Sequence, residues 1–108
     1  MRELNDAFAL ALRDLRHQAN LAQSDFPPKV SREYISLLER GLRSPSLKVI
    51  DDLAEVMGIS PLTLVLQCYL HRDSNTSFET LLAKAVRDLR IEMIPGKREG
   101  EGEGEDNS

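Results

Sequence analysis

The sequence predicts an all-α fold, and three observations predict it. Leucine dominates the apolar residues, which favours helices over sheets. Apolar residues recur at spacings of three and four along successive stretches, the signature of an amphipathic helix. Serine stands ahead of most of these stretches and glycine or asparagine behind several of them, which is the chemistry that starts and stops helices.

The first helix is expected over residues 5 to 19. Phe8, Leu12 and Leu15 recur along one face, Ala7, Ala9 and Ala11 keep helix propensity high, and Asn20 is a plausible left-handed stop. The next helix, from Gln23, must be short. Pro27 lacks an N–H and Pro28 restricts its neighbour, so the helix cannot run far beyond Phe26, its core anchor; Lys29 and Val30 make the turn. A third helix spans 31 to 40. Ser31 caps it, Ile35 and Leu38 share its inward face, and Gly41 ends it. After the loop Leu42-Arg43-Ser44-Pro45, Ser46 caps a helix over 46 to 57. Leu47, Ile50, Leu53, Ala54 and Met57 form its apolar stripe, Asp51, Asp52 and Glu55 its wet face, and Gly58 its stop. Ser60 and Pro61 open a fifth helix, apolar on more than one side through Leu62, Leu64, Val65, Leu66, Tyr69 and Leu70, and so buried or shared with a partner. Asp73 to Thr76 break the pattern. A sixth helix over 77 to 92 carries Phe78, Leu81, Leu82, Ala85 and Leu89, with Met93 extending the stripe and Pro95-Gly96 ending it. From Lys97 on, Glu and Gly alternate, a composition expected to be disordered. The expected organisation is therefore 1–72, a main helical domain; 73–95, a C-terminal helix; and 96–108, an acidic tail.

At 108 residues the chain is one small domain with tails. A domain of this size buries only about 60% of its unfolded surface, so close helix packing and a partner subunit both help. No run reaches the ~20 apolar residues of a membrane span, and no basic region followed by an apolar stretch marks a secretory signal. The single Cys68 excludes an internal disulfide framework and fits a reducing cytoplasm. His17, His71 and Cys68 are too scattered to hold a metal, and Asp51 and Asp52 point apart on a helix, so no catalytic residue, cofactor site or small-molecule substrate emerges. The net charge of −4 conceals a local balance. Residues 95–108 carry net −3, whereas 13–48 carry seven basic and four acidic residues, net +3. Local charge decides where a phosphate backbone settles.

A helix, a shorter helical piece, a turn and a second short helix are the plan of a helix-turn-helix. Residues 8 to 66 resemble the helix-turn-helix family of phage Cro proteins and repressors, the XRE-like regulators. The resemblance is carried by Leu12-Arg13-Asp14-Leu15-Arg16, by Leu21-Ala22-Gln23, by the run from Val30 to Gly41, by Ser44-Pro45-Ser46-Leu47 and by Asp52 to Ser60. It implies a five-helix repressor-like DNA-binding domain, here with an extra C-terminal helix and the acidic tail. One departure stands out: Pro27-Pro28 occupy the place where the family has a longer second helix, an alanine and a glycine. The second helix should be about half a turn shorter.

The resemblance also implies roles. Arg32, Glu33 and Leu37 match positions that meet base edges, where Arg pairs with guanine, Glu accepts from cytosine and Leu touches a thymine methyl; Ser31, Tyr34 and Ser36 lie beside them. Gln23 matches a phosphate-binding glutamine, and Arg40, Arg43, Ser44 and Lys48 flank a loop that lies along the DNA backbone. Arg16 and Glu39 match a buried ion pair tying the first helix to the reading helix. Excess apolar surface at Leu66, Tyr69, Phe78, Leu81, Leu82 and Leu89 is the expected dimer interface. The implied protein is a cytoplasmic, nucleoid-associated, homodimeric regulator of double-stranded DNA, of bacterial or phage type and most simply a repressor. Two alternatives stand beside it: an antitoxin or restriction-control regulator answering to a protein partner, and a helix-turn-helix interaction module that does not bind DNA.

Overall fold

The computed structural model of the chain describes residues 1–92. Among them are five α-helices, one 3-10 turn and no strand: α1 (Leu4–Gln18), the 3-10 turn (Gln23–Asp25), α2 (Arg32–Glu39), α3 (Leu47–Met57), α4 (Pro61–Arg72) and α5 (Phe78–Leu89). Two compact units result, Met1–Phe78 and a second from Glu79 onward.

Capping chemistry sets the boundaries in the first unit. The hydroxyls of Ser31, Ser46 and Ser60 accept hydrogen bonds from the N–H groups of Tyr34, Val49 and Leu62, each at 3.1 Å. These satisfy first-turn donors that have no partner within the helix. At the other ends, Asn20, Gly41 and Gly58 take left-handed φ values of 59°, 73° and 70°. The residue after each donates back to the carbonyl five positions earlier: Leu21 to Arg16, Leu42 to Leu37 and Ile59 to Ala54. That is the Schellman stop.

The second helix of the expected plan is shorter still than the proline pair suggested. Only Gln23–Asp25 turn, as 3-10, closed by the Asp25 carboxylate accepting from the Ala22 N–H at 2.7 Å. Phe26 follows as the buried anchor, and the Pro27–Pro28 bond is cis.

The core of this unit is aliphatic around two phenylalanines. Phe8, Leu12, Phe26, Ile35, Leu38, Leu53 and Leu64 pack together, with Leu15, Leu21, Tyr34, Val49 and Ile50 partly covering them. Ala7 and Ala11, one turn apart, are themselves buried in the core beside the Phe8–Leu12 stripe, while Ala9 is buried on another side of α1, toward the end of α2. Three polar ties join α1 and its N-terminal segment to α4: the Arg2 N–H donates to the Arg72 carbonyl at 2.8 Å, Arg2 Nη1 donates to the His71 carbonyl at 3.4 Å, and His71 Nε2 meets the Asp14 carboxylate at 2.7 Å.

Two expectations for α3 are corrected. Leu47, placed in the apolar stripe, is 83% exposed. It is the first helical residue and sits at the rim of an open apolar cleft of about 230 Å³ with Leu4, Phe8, Ile50 and Tyr69, instead of in the core. Asp52, placed on the wet face, is buried to 9% exposure, and Lys48 one turn earlier pairs with it at 3.2 Å. An ion pair at that spacing makes the burial of a carboxylate tolerable.

In the second unit, α5 ends at Leu89, ahead of the expected residue 92. Arg90 adopts φ 57° and the Ile91 N–H returns to the Val86 carbonyl, so the helix stops by the same motif without a glycine. No residue of α5 is buried. The expected Met93, the Pro95-Gly96 stop and the acidic tail lie outside the described residues.

Candidate nucleic-acid interface

α2 is eight residues long, about two turns, too short to be stable in isolation. It is held by what surrounds it. Ser31 caps its start, and Ile35 and Leu38 are fully buried beneath it. At its end the Gly41 N–H reaches the Leu38 carbonyl at 3.1 Å. A side chain at Gly41 would meet the Asp6 carboxylate of α1 and would have to adopt the left-handed region, so both backbone and packing call for glycine there.

The tightest polar cluster converges on Glu39, the last residue of α2, at 4% exposure. Arg16 on α1 donates from Nε and Nη2 to the two carboxylate oxygens at 2.6 and 2.8 Å, a fork-on-fork pairing. Its Nη1 donates to the Leu21 carbonyl at 2.9 Å. Gln23 Nε2 donates to Glu39 Oε1 at 3.1 Å. Arg13, one turn before Arg16, donates from Nη2 to the Glu39 main-chain carbonyl at 2.8 Å. Burial pushes the Glu39 carboxyl up, but the hydrogen bonds from Arg16 and Gln23 and the charges of Arg16 and Arg13 outweigh it, so the carboxyl sits below its ordinary range. The hydrogen bond from Arg16 to Glu39 correspondingly raises the guanidinium, against the opposing effect of burial. One residue thus ties α1, the 3-10 turn and α2 together.

The opposite face of α2 is open. A polar cleft of about 260 Å³ is lined by Gln23, Arg32, Glu33, Ser36, Leu37 and Arg40. Arg32, Glu33 and Arg40 are exposed; Ser36 and Leu37 are half-buried. The other two base-contact candidates are committed elsewhere. Tyr34 is half-buried and packs on the core, and the Ser31 hydroxyl is engaged as the cap. Arg40 Nε donates to the Ser36 carbonyl at 3.3 Å, which lays its side chain along the helix.

The loop after Gly41 carries the remaining backbone-contact candidates. Arg43 is exposed and donates to the Leu42 carbonyl at 3.0 Å. The Ser44 hydroxyl donates to Asn5 Oδ1 at 2.6 Å, fastening the loop to the first turn of α1. Lys48 is paired with Asp52 while its side chain stays 81% exposed.

Sequence reasoning did not single out Asn5 or Arg13. Arg13 left one usable trace: it stands three residues before Arg16, and that spacing puts both on one face of α1. Asn5 left none.

Among the described residues, no three His, Cys, Asp or Glu side chains come together as metal ligands, and no helix is long and apolar enough to cross a membrane. Cys68 is buried, which raises its thiol above the ordinary value, with the charge of Arg72 partly opposing the rise.

Comparison with protein families matches residues 12–64 to the family described as helix-turn-helix. That span runs from α1 through the cluster on Glu39 and the open cleft into α4. Comparison with curated proteins and with solved structures gave no match.

Proposed function

Residues 12–64 place the chain in the XRE-type helix-turn-helix family of DNA-binding transcription regulators, and we propose that it is a sequence-specific repressor acting as a homodimer on double-stranded DNA. The carrying observation is the open cleft over α2. Its lining combines two guanidiniums, a carboxylate, an amide, a hydroxyl and an apolar tip on a helix whose other face is anchored.

In the major groove such a set reads sequence. Arg32 offers a bidentate fork to guanine O6 and N7, Glu33 accepts from cytosine N4, and Leu37 contacts a thymine methyl. Gln23 spends one amide N–H on Glu39 and keeps a second for a phosphate, already oriented. Arg40, Arg43 and Lys48 supply charge along the backbone, with Ser44 beside them in the fastened loop. Each phosphate neutralised releases counterions and steepens the dependence of binding on salt.

One two-turn helix reads few bases, so a second copy is needed for a site of useful length. The proposed dimer uses Leu66 and Tyr69 of α4 together with Phe78, Leu81, Leu82 and Leu89 of α5. Supporting this, Tyr69, Phe78, Leu82 and Leu89 all expose more than a third of their surface. Bound at a promoter, the dimer excludes polymerase.

In vitro selection of duplexes bound by the full chain tests the reading. The expected product is a two-fold symmetric site with half-sites about one helical turn, or a multiple of it, apart. No enrichment over random sequence rejects DNA reading, and a monomer in sedimentation at micromolar concentration rejects the dimer.

A further inference from the structure

Arg13 lies outside the reading cleft yet bonds directly to the helix that forms it. Resting on the DNA-reading function, we propose that Arg13 is a positioning residue for recognition: it fixes the C-terminal end of α2 and thereby sharpens discrimination between sites, without itself taking a phosphate.

The argument begins with what α2 lacks. The last carbonyls of a helix have no partner within it, and that end carries the negative pole of the helix dipole. In an eight-residue helix this end is a large part of the whole. Two carbonyls, those of Leu37 and Leu38, are satisfied by the chain as it turns through Gly41 and Leu42. The Glu39 carbonyl is satisfied by Arg13 from another helix, at 2.8 Å. A cation at a helix C-terminus is favourable twice over, as a hydrogen-bond donor and as a charge against the dipole.

Geometry separates this role from that of Arg16. Arg16 grips the Glu39 side chain, whose rotatable bonds leave the helix axis some freedom. Arg13 grips the main chain of the same residue, where no side-chain torsion intervenes. The two arginines are one turn apart on α1, so α1 holds α2 by two points at one end. Buried Ile35 and Leu38 fix which face of α2 looks outward. They restrain sliding and tilt less well, because apolar contact has no direction. Displacement of about 1 Å is enough to spoil bidentate pairing between Arg32 and a base edge.

The surroundings of Arg13 agree. It lines a polar cleft of about 410 Å³ with Arg2, Asp6, Leu10, Glu39 and Arg40, between α1 and the end of α2. The Asp6 carboxylate shares that cleft, so the site is not a bare cationic cradle for phosphate.

The test compares Arg13→Gln and Arg13→Lys with the wild-type full chain. Binding is measured to a selected duplex and to a random duplex across a salt series, with thermal melts alongside. The proposal expects Arg13→Gln to weaken binding to the selected duplex by about tenfold, the low end of what losing one well-aligned bidentate base contact costs. Random-duplex binding and both salt slopes stay at wild-type values, and Arg13→Lys falls between the two. A phosphate contact gives a different pattern: the slope for Arg13→Gln drops by about one unit, both duplexes are weakened alike, and Arg13→Lys matches wild type. That pattern overturns the proposal, as does Arg13→Gln indistinguishable from wild type on both duplexes. Should Arg13→Gln melt below the assay temperature, Arg13→Lys decides alone: reduced discrimination at unchanged slope supports positioning, and wild-type discrimination overturns it. Wild-type chain that binds no duplex above background overturns the DNA-reading function, and the role of Arg13 with it.

Discussion

Replacing Glu39 by alanine removes the centre of the polar cluster and leaves its donors behind. Three side-chain hydrogen bonds disappear, two from Arg16 and one from Gln23, while the carbonyl that Arg13 holds remains. The Arg16 side chain is only 11% exposed, so its charge is stranded in a poorly solvated place. Stripping one partner from a buried pair typically costs ~3–5 kcal/mol. Arg16 keeps its bond to the Leu21 carbonyl, which argues for the lower end, about 3 kcal/mol. For a domain of this size that corresponds to a fall in Tm of roughly 12–24 °C. Thermal melts of the full chain at neutral pH measure it. A double variant, Arg16→Met with Glu39→Leu, should recover much of the loss, because an apolar pair strands no charge. A Tm within about 4 °C of wild type for Glu39→Ala refutes the reasoning, since a drop that small corresponds to at most ~1 kcal/mol.

Two further outcomes follow from the same structure. The folded-state Glu39 carboxyl titrates below its ordinary value of 4.5, so the stability contributed by its ionised form is whole above about that pH and is lost as pH falls through the lower, folded-state value. Denaturant midpoints followed downward from pH 6 should therefore fall more steeply for wild type than for Glu39→Gln; parallel curves contradict the assignment. Gly41→Ala and Gly58→Ala each force a side chain into the left-handed region, at ~1–2 kcal/mol. Open space surrounds Gly58, whereas the Asp6 carboxylate crowds Gly41, so Gly41→Ala should be the more destabilising. Equal losses in urea unfolding argue against that packing.

What was legible in the sequence is what local chemistry determines. Ser31, Ser46 and Ser60 cap helices because a hydroxyl reaches the next free N–H groups wherever the chain turns into a helix. Asn20, Gly41 and Gly58 stop helices because they tolerate positive φ. Arg90 shows the limit: it stops α5 in the same conformation although arginine gives no such signal. Ile35 and Leu38 are readable as core because their spacing places them on one face of α2, and Phe26 because it is the one large apolar residue of its short, proline-terminated piece. Leu47 and Asp52 depart from their helical-wheel positions because periodicity carries no information about neighbouring elements. Leu47 has the right spacing but only an open cleft beside it, and Asp52 is buried against the body of the unit while its partner Lys48 stays exposed. The alanines of α1 signal helix propensity in the sequence, and only the fold reveals Ala7 and Ala11 as part of the core.

For the site, the outward set Arg32, Glu33, Ser36 and Leu37 follows from periodicity once α2 is placed, and the cleft gathers it with Gln23 and Arg40. The pairing of Arg16 with Glu39 came only from resemblance, since 23 residues of separation carry no physical signal. The Gln23 bond to Glu39 and the Arg13 bond to the carbonyl were out of reach. Both depend on how closely α1 and the shortened turn approach the end of α2, and no pattern in the chain encodes that distance.

The central claim is that the open face of α2 reads bases. Repeating the in vitro selection with Arg32→Ala, and measuring its affinity for the wild-type site, tests this most directly. The account predicts binding weaker by ~1–3 kcal/mol and loss of preference at one position in each half-site, the other positions being retained. The same selected sequence at wild-type affinity contradicts it.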